Sequence, residues 1–244
     1  WHGSLRADAT LQERSTSGNA YQSNFYLSGP IKEDLLGLSI YGNYNKREED
    51  RILQGFNDYD HRAINVKLAL TPNKDHDVIL ELGTAKQHFT STPGMTLLDS
   101  EALSDRKFKR ESYSLQHKGR WGWATSDTYV QQEETRNIAR DMTIKNTVFN
   151  SSWTLPLGQR NLLTTGVYYS EQDLRDTTTN TLPGSSRSTA DRSQYAVFAE
   201  NEWRLRDDFA LTGGLRYDHD SQAGGHVSPR LYGVWTVDPR WTVK

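Results

Sequence analysis

The sequence predicts an all-β fold, an antiparallel transmembrane β-barrel, and three observations carry that prediction. Apolar and polar residues alternate with period two in short stretches along the whole chain, and no segment sustains a helical period. Loops that follow odd-numbered stretches are long and polar, whereas the turns after even-numbered ones are short, the rhythm of hairpins with two unlike rims. Finally, Trp1, Trp121, Trp123, Trp153, Trp203, Trp235 and Trp241 all fall at the chain start or within a few residues of a short turn. Amphipathic indole rings gather in this way at a bilayer interface, with short turns on the periplasmic side and charged loops outside.

Taken in order, the first stretch runs from Trp1 to Gln12, with Leu5, Ala7, Ala9 and Leu11 on one face. Tyr21 to Ser28 follows, closed by a tight turn at Gly29-Pro30. Leu36, Leu38, Ile40 and Tyr44 alternate with Ser39, Tyr41 and Asn43, and a charged loop through Lys46, Arg47, Glu48, Glu49, Asp50 and Arg51 comes next. Ile64, Val66, Leu68 and Leu70 lead into the turn Thr71-Pro72-Asn73-Lys74, after which Val78, Leu80 and Leu82 keep the pattern. A polar loop is expected from about Thr84 to Arg110, then strands over Tyr113 to Trp121, Ala124 to Glu133 and Thr147 to Leu155. Pro156-Leu157-Gly158-Gln159 turns into Leu162 to Tyr169, and a Ser/Thr-rich loop from Asp173 to Asp191 precedes Tyr195 to Leu205. Arg206-Asp207-Asp208 turns into Phe209 to Tyr217; a loop over His219 to His226, a strand over Leu231 to Trp235 and a turn at Val237 to Arg240 complete the chain. The expectation is about twelve antiparallel strands and the start of another.

Composition agrees. The 244 residues are 34% hydrophobic and 25% charged, with a mean hydropathy of −0.80. No run approaches the roughly 18 apolar residues of a transmembrane helix, whereas barrel strands need apolar residues only at alternate positions. A net charge of −2 offers no electrostatic case for nucleic acid, and a chain without Cys has no disulfide, thiol or zinc-thiolate chemistry. The chain begins at Trp1 and stops inside a newly begun strand at Trp241-Thr242-Val243-Lys244, which is expected of a piece of a longer protein.

Six segments carry a resemblance: Trp1-His2-Gly3-Ser4, Leu27-Ser28-Gly29-Pro30, Glu134-Thr135-Arg136-Asn137, Gln194 to Trp203, Gly214-Leu215-Arg216-Tyr217-Asp218-His219 and Gly225-His226-Val227-Ser228-Pro229-Arg230. In these the chain resembles the TonB-dependent siderophore receptors of Gram-negative outer membranes, closest to the catecholate group that includes the ferric enterobactin and colicin I receptors. The resemblance implies a plug domain inside a barrel of about 22 strands. Residues 1–244 would then be the N-terminal half of the barrel, without plug and closing strands. A half-barrel has two unpaired edges, each backbone group costing several kcal/mol in lipid, so function belongs to the parent.

A ferric catecholate is an anion with aromatic rings, and its recognition calls for arginines and aromatic faces. By the resemblance, Arg106, Phe108, Arg110 and Arg136 fall at or near ligand-contacting loop positions; a solvated charge run or lipopolysaccharide contacts at the rim are the alternatives. His88 and Phe89 are candidates for stacking on a ligand. Asp218, His219, Asp220 and His226 resemble metal ligands only as a list, without zinc spacing. Glu133 and Glu134 are adjacent carboxylates with no partner nucleophile, and Gly213-Gly214 suits strand curvature rather than a phosphate loop. Neither a catalytic motif nor a resident metal or cofactor is expected, since no hydrolase, metalloprotease, P-loop or dinucleotide fingerprint occurs and iron would arrive inside the siderophore. The implied function is TonB-energised uptake of a ferric siderophore, a catecholate, across the outer membrane. The TonB complex would act through the plug, lipid and lipopolysaccharide would surround the barrel, and colicins or phages would exploit the loops. A plug-less channel or an outer-membrane enzyme barrel is the competing reading.

Overall fold

The computed structural model describes residues 1–177 and 188–244. Among these described residues, thirteen strands follow one another in a single antiparallel sheet whose spatial order is the chain order. They are β1 (His2–Thr10), β2 (Ala20–Lys32), β3 (Leu36–Arg47), β4 (Asp58–Asn73), β5 (His76–Ser91), β6 (Ser104–Arg120), β7 (Thr125–Asn137), β8 (Met142–Pro156), β9 (Asn161–Asp176), β10 (Thr189–Arg206), β11 (Phe209–Asp220), β12 (Gly224–Asp238) and β13 (Trp241–Val243). β1 and β13 each pair on one side only, so the sheet is an open wall and not a closed ring. Among the described residues, no helix is long and apolar enough to cross a membrane.

Register assigns every side chain to one of two faces. One face carries Leu5, Phe25, Ile40, Val66, Leu82, Tyr113 and, farther round, Val167, Val197 and Leu215, aligned from strand to strand. These side chains are not packed away: Leu5 is 78% exposed and Leu215 57%, while the buried hydrophobic side chains among the described residues are alanines. A sheet with its large apolar residues in the open and no second layer is built for lipid. The other face carries Asn24, Asn43, Lys67, Glu81, Ser112 and Gln131 and is the lumen wall.

Two aromatic girdles bound the apolar band. All seven tryptophans sit on the short-turn rim, where Trp153 stacks with both Trp121 and Trp123 at 5.9 Å between centroids. The indole nitrogens there donate to Ser126 (2.8 Å), Ser151 (3.1 Å) and Asp208 (3.1 Å). On the loop side, the outward positions at the top of the band are Tyr21, Tyr44, Tyr113, Tyr169, Tyr195 and Tyr217. From Tyr113 to Trp121, or from Tyr195 to Trp203, is ~26 Å of strand, enough for the apolar band of a barrel.

Strands of up to 18 residues exceed the roughly 9–11 needed to cross a bilayer. They therefore continue past the tyrosine girdle, and this corrects several boundaries. The segment 84–110 is not one loop: 84–91 extends β5, 104–110 opens β6, and only 92–103 connects them. Lys46 and Arg47 end β3, Asp173 to Asp176 ends β9 and Thr189 opens β10; part of the expected Asp173–Asp191 loop, 178–187, lies outside the described residues. Two outer connections are short, 138–141 and 221–223, so the long-after-odd rule fails after β7 and β11. Gly29-Pro30 is no turn; it lies within β2, Pro30 flanking a register shift where its missing donor is tolerated, and the chain reverses at 33–35. Alternation ends where the lipid ends, so the membrane-external halves of these strands lack the signal that marks the inner halves.

Outside the membrane, three loops are knitted together by two adjacent carboxylates. Asp50 is buried and accepts from the Gly18 amide (2.7 Å), the Phe56 amide (3.0 Å) and the Arg47 guanidinium (2.9 Å). Glu49 accepts from the amide and hydroxyl of Thr92, both at 2.6 Å, and from the Thr96 hydroxyl. Gly18 is packed so closely that a Cβ there would lie 1.9 Å from the Glu48 carbonyl oxygen. Burial pushes both carboxyl groups up, but the donors outweigh it and hold both below their ordinary range. A depressed carboxylate contributes stability that is full at neutral pH and disappears as pH falls through its folded pKa. The joint between loops 11–19, 48–57 and 92–103 is therefore expected to hold at pH 7 and to loosen below about pH 4. In hydrogen exchange, Asp50→Asn should speed exchange at the Gly18 and Phe56 amides roughly 10- to 100-fold at neutral pH, the value of a charged hydrogen bond; unchanged protection would show that the charge is not what holds the loops.

Candidate functional site

The upper half of β6 brings three of the four expected ligand residues onto the lumen face. Arg106, Phe108 and Arg110 alternate with outward Lys107 and Lys109, so their side chains line the inner wall just inside the mouth. They meet neighbours the sequence reading did not join to them. Phe89 of β5 is the register partner of Arg106, whose guanidinium lies 5.5 Å from the Phe89 ring centroid. Phe89 also packs against Tyr59 of β4 (4.9 Å) and edge-on to Phe108 (6.1 Å), and Tyr59 stacks on His61 (6.1 Å). His61 is held in turn by the side-chain amides of Asn43 (3.2 Å) and Asn45 (3.3 Å). One step lower, Arg110 faces Glu133 of β7 at 3.9 Å, and it is 55% exposed to the lumen. The result is a ladder of aromatic faces between two arginines whose forks are available to an oxygen-rich anion.

Arg136 does not join this group. Arg110 is opposite Thr135, so its neighbour Arg136 points to the outer surface, where it pairs with Glu134. The same parity separates Glu133, inward, from Glu134, outward, and disposes of any shared acid–base role for that pair. His88 and Phe89 part in the same way: His88 binds Asp105 at 2.5 Å outside, and only Phe89 faces the lumen. The acidic and histidine residues near 220 form no metal set among the described residues. Asp218 is salt-bridged to Arg216 (2.8 Å) and His219 stacks on Tyr195 (5.0 Å). Asp220 accepts from Gln194, Arg192 and the amides of Gln222 and Ala223, which closes the β11–β12 turn.

Gly213 and Gly214, expected to ease curvature, lie within β11. Within β9, Gly166 is closely packed: an ideal Cβ there would lie 2.6 Å from the ring of Phe198, its register partner. Phe198 covers that gap on the lumen wall and carries Arg216 5.8 Å from its centroid.

Residues 3–244 match the profile described as TonB dependent receptor-like, beta-barrel. The chain is 39% identical over its whole length to an iron-regulated outer membrane virulence protein of Vibrio cholerae, of which it spans 38%. It is 26% identical to the ferric enterobactin receptor PirA of Pseudomonas aeruginosa, covering 99% of this chain and 40% of that protein. Among solved structures, the siderophore receptor PirA of Acinetobacter baumannii superimposes with a TM-score of 0.82 at 22% identity, over 98% of this chain and 41% of the other. The chain thus spans about two fifths of the length of the relatives it matches. Barrels of this kind lie in the outer membrane, where the open apolar face and its two girdles place this chain as well. From the match over residues 3–244, the chain belongs to the family of TonB-dependent receptor β-barrels.

Proposed function

We propose that this chain is the N-terminal part of the barrel of an outer-membrane receptor that binds a ferric catecholate siderophore at its outer mouth and admits it under power from TonB. The observation that carries the reading is the inner-wall ladder of Tyr59, Phe89 and Phe108 flanked by Arg106 and Arg110. Catecholate rings stack on such faces, and the negative oxygens around the iron accept from guanidinium forks. Relatives named as ferric enterobactin receptors support the same substrate class. Iron enters as cargo within the siderophore, no resident cofactor takes part, and the chemistry is binding and transport without covalent change. A plug and further strands would complete the lumen, the plug carrying the contact with TonB. Lipid and lipopolysaccharide surround the wall, and colicins or phages are partners for the loops.

The test is calorimetric titration of the full-length protein with ferric enterobactin and a ferric hydroxamate side by side. Submicromolar binding of the catecholate alone is the expected result. Binding of the hydroxamate alone, or of neither, would overturn the substrate class.

A further inference from the structure

At the short-turn rim two histidines face each other across a pair of strands. His76 opens β5 and His117 lies near the end of β6. Register sets His76 opposite Gly119 and His117 opposite Val78, so the two side chains are diagonal neighbours on one face. It is the outward face, which Val78, Leu80 and Leu82 share with Tyr113 and Leu115. His76 Nδ1 lies 3.1 Å from His117 Nε2, with the ring planes 20° apart.

The pair is clamped in place. A Cβ at Gly119 would lie 2.5 Å from Trp121 Nε1, so glycine leaves the room that the indole fills. That indole meets His76 edge-on at 4.7 Å and His117 at 6.0 Å, and its Nε1 donates to Ser126. The turn before His76 is tied to β6 as well. The Arg120 amide donates to the Asp75 carbonyl, and its guanidinium to the Lys74 carbonyl and the Asp77 carboxylate, each at 2.8 Å. Both histidines are half-buried, which leaves them open to an ion from the aqueous side of the rim.

A neutral imidazole has one N–H and one lone-pair nitrogen. With the protons on His76 Nε2 and His117 Nδ1, both facing nitrogens carry lone pairs. Two such nitrogens bound at about 2.0–2.1 Å to one ion stand roughly 2.9–3.4 Å apart, from a right-angled to a tetrahedral arrangement. The separation of 3.1 Å lies within that span. We propose that His76 and His117 form a two-nitrogen chelate for a divalent transition-metal ion of the copper and zinc class. Imidazole suits these ions, whereas magnesium and calcium prefer oxygen. Among the described residues no group of three metal-binding side chains occurs, so solvent completes the coordination. The ion would staple the start of β5 to the end of β6, outside the lumen and apart from any iron carried through it.

The experiment is titration of the full-length protein in detergent with copper(II), followed by electron paramagnetic resonance and by tryptophan emission. Wild type is expected to take up the ion with nitrogen coordination, to release it to zinc(II), and to lose emission, since a paramagnetic ion there lies beside Trp121. H76Q and H117Q should each weaken that uptake at least about tenfold, and H88Q, which alters a histidine at the opposite rim, should leave it unchanged. Uptake and quenching that persist in H76Q and H117Q would overturn the site, as would their loss in H88Q. If the variants fail to fold, as judged by heat-modifiable mobility, wild type alone decides. Zinc(II) should then shield His76 and His117 from diethyl pyrocarbonate while the exposed His226 stays reactive. Equal labelling of His76 and His117 with and without zinc(II) would overturn the chelate and leave the pair a shared-proton hydrogen bond. Neither readout depends on which ligand the lumen carries.

Discussion

Replacing Arg106 and Arg110 together by glutamine is expected to weaken ferric-catecholate binding by the full-length protein at least about a hundredfold. Each guanidinium would contribute a charge-assisted interaction of about 1.5–3 kcal/mol, and tenfold in affinity corresponds to about 1.4 kcal/mol. Folding should hardly notice. Arg110 is 55% exposed and its carboxylate neighbour is 3.9 Å away, and exposed pairs contribute little to stability. Phe89→Ala tests the aromatic half of the same wall, because the ring contacts Tyr59, Phe108 and Arg106 at once. Arg136→Gln is the control, removing one positive charge from the outer surface, and its affinity should equal that of wild type. If the control loses as much as the double variant, the ligand is not held by the inner wall.

An equally large effect should appear in membrane insertion. Ala199 lies midway between Tyr195 and Trp203 on the outward face of β10, in register with Thr165; Thr164 beside it faces the lumen at the same height. Ala199→Arg sets a charge against the hydrocarbon midplane and is expected to cost about 2–4 kcal/mol. Thr164→Arg points into the lumen, where its register partner is Glu200, and should cost little. Urea titration of the full-length protein in lipid vesicles measures both. A larger cost for Thr164→Arg than for Ala199→Arg would mean that the two faces have been assigned the wrong way round.

The apolar half of each strand was legible because lipid imposes a strict period of two: Leu80 and Leu82, or Tyr195 and Val197, announce both a strand and its outward face. The tryptophan rim was legible for a related reason, since interface chemistry selects a residue type that is rare elsewhere. Beyond the tyrosine girdle both faces are polar, so Arg106 to Arg110 read as loop although the hydrogen-bond ladder with β5 continues through them. The same loss of contrast hid the side on which Arg136 stands, a matter of one residue in register. Tyr59 went unnoticed, and Phe89 looked isolated, because their meeting is cross-strand and their separation in sequence large. The Glu49–Asp50 joint was hidden too, because adjacent carboxylates in a charged loop look alike whether they are solvated or buried.

The confinement of every tryptophan to the turn rim decides what light will report about this protein. Phe108 on β6 is ~43 Å of strand away from Trp121, so a ligand at the mouth binds far from every indole of this wall. Trp121, Trp123 and Trp153 are instead stacked together at the opposite interface. Intrinsic emission from this wall should therefore shift to the blue and gain anisotropy when the rim enters the bilayer, and stay nearly constant as the mouth fills. Following occupancy optically requires a fluorophore introduced near β6, while the native emission serves as an internal record of insertion.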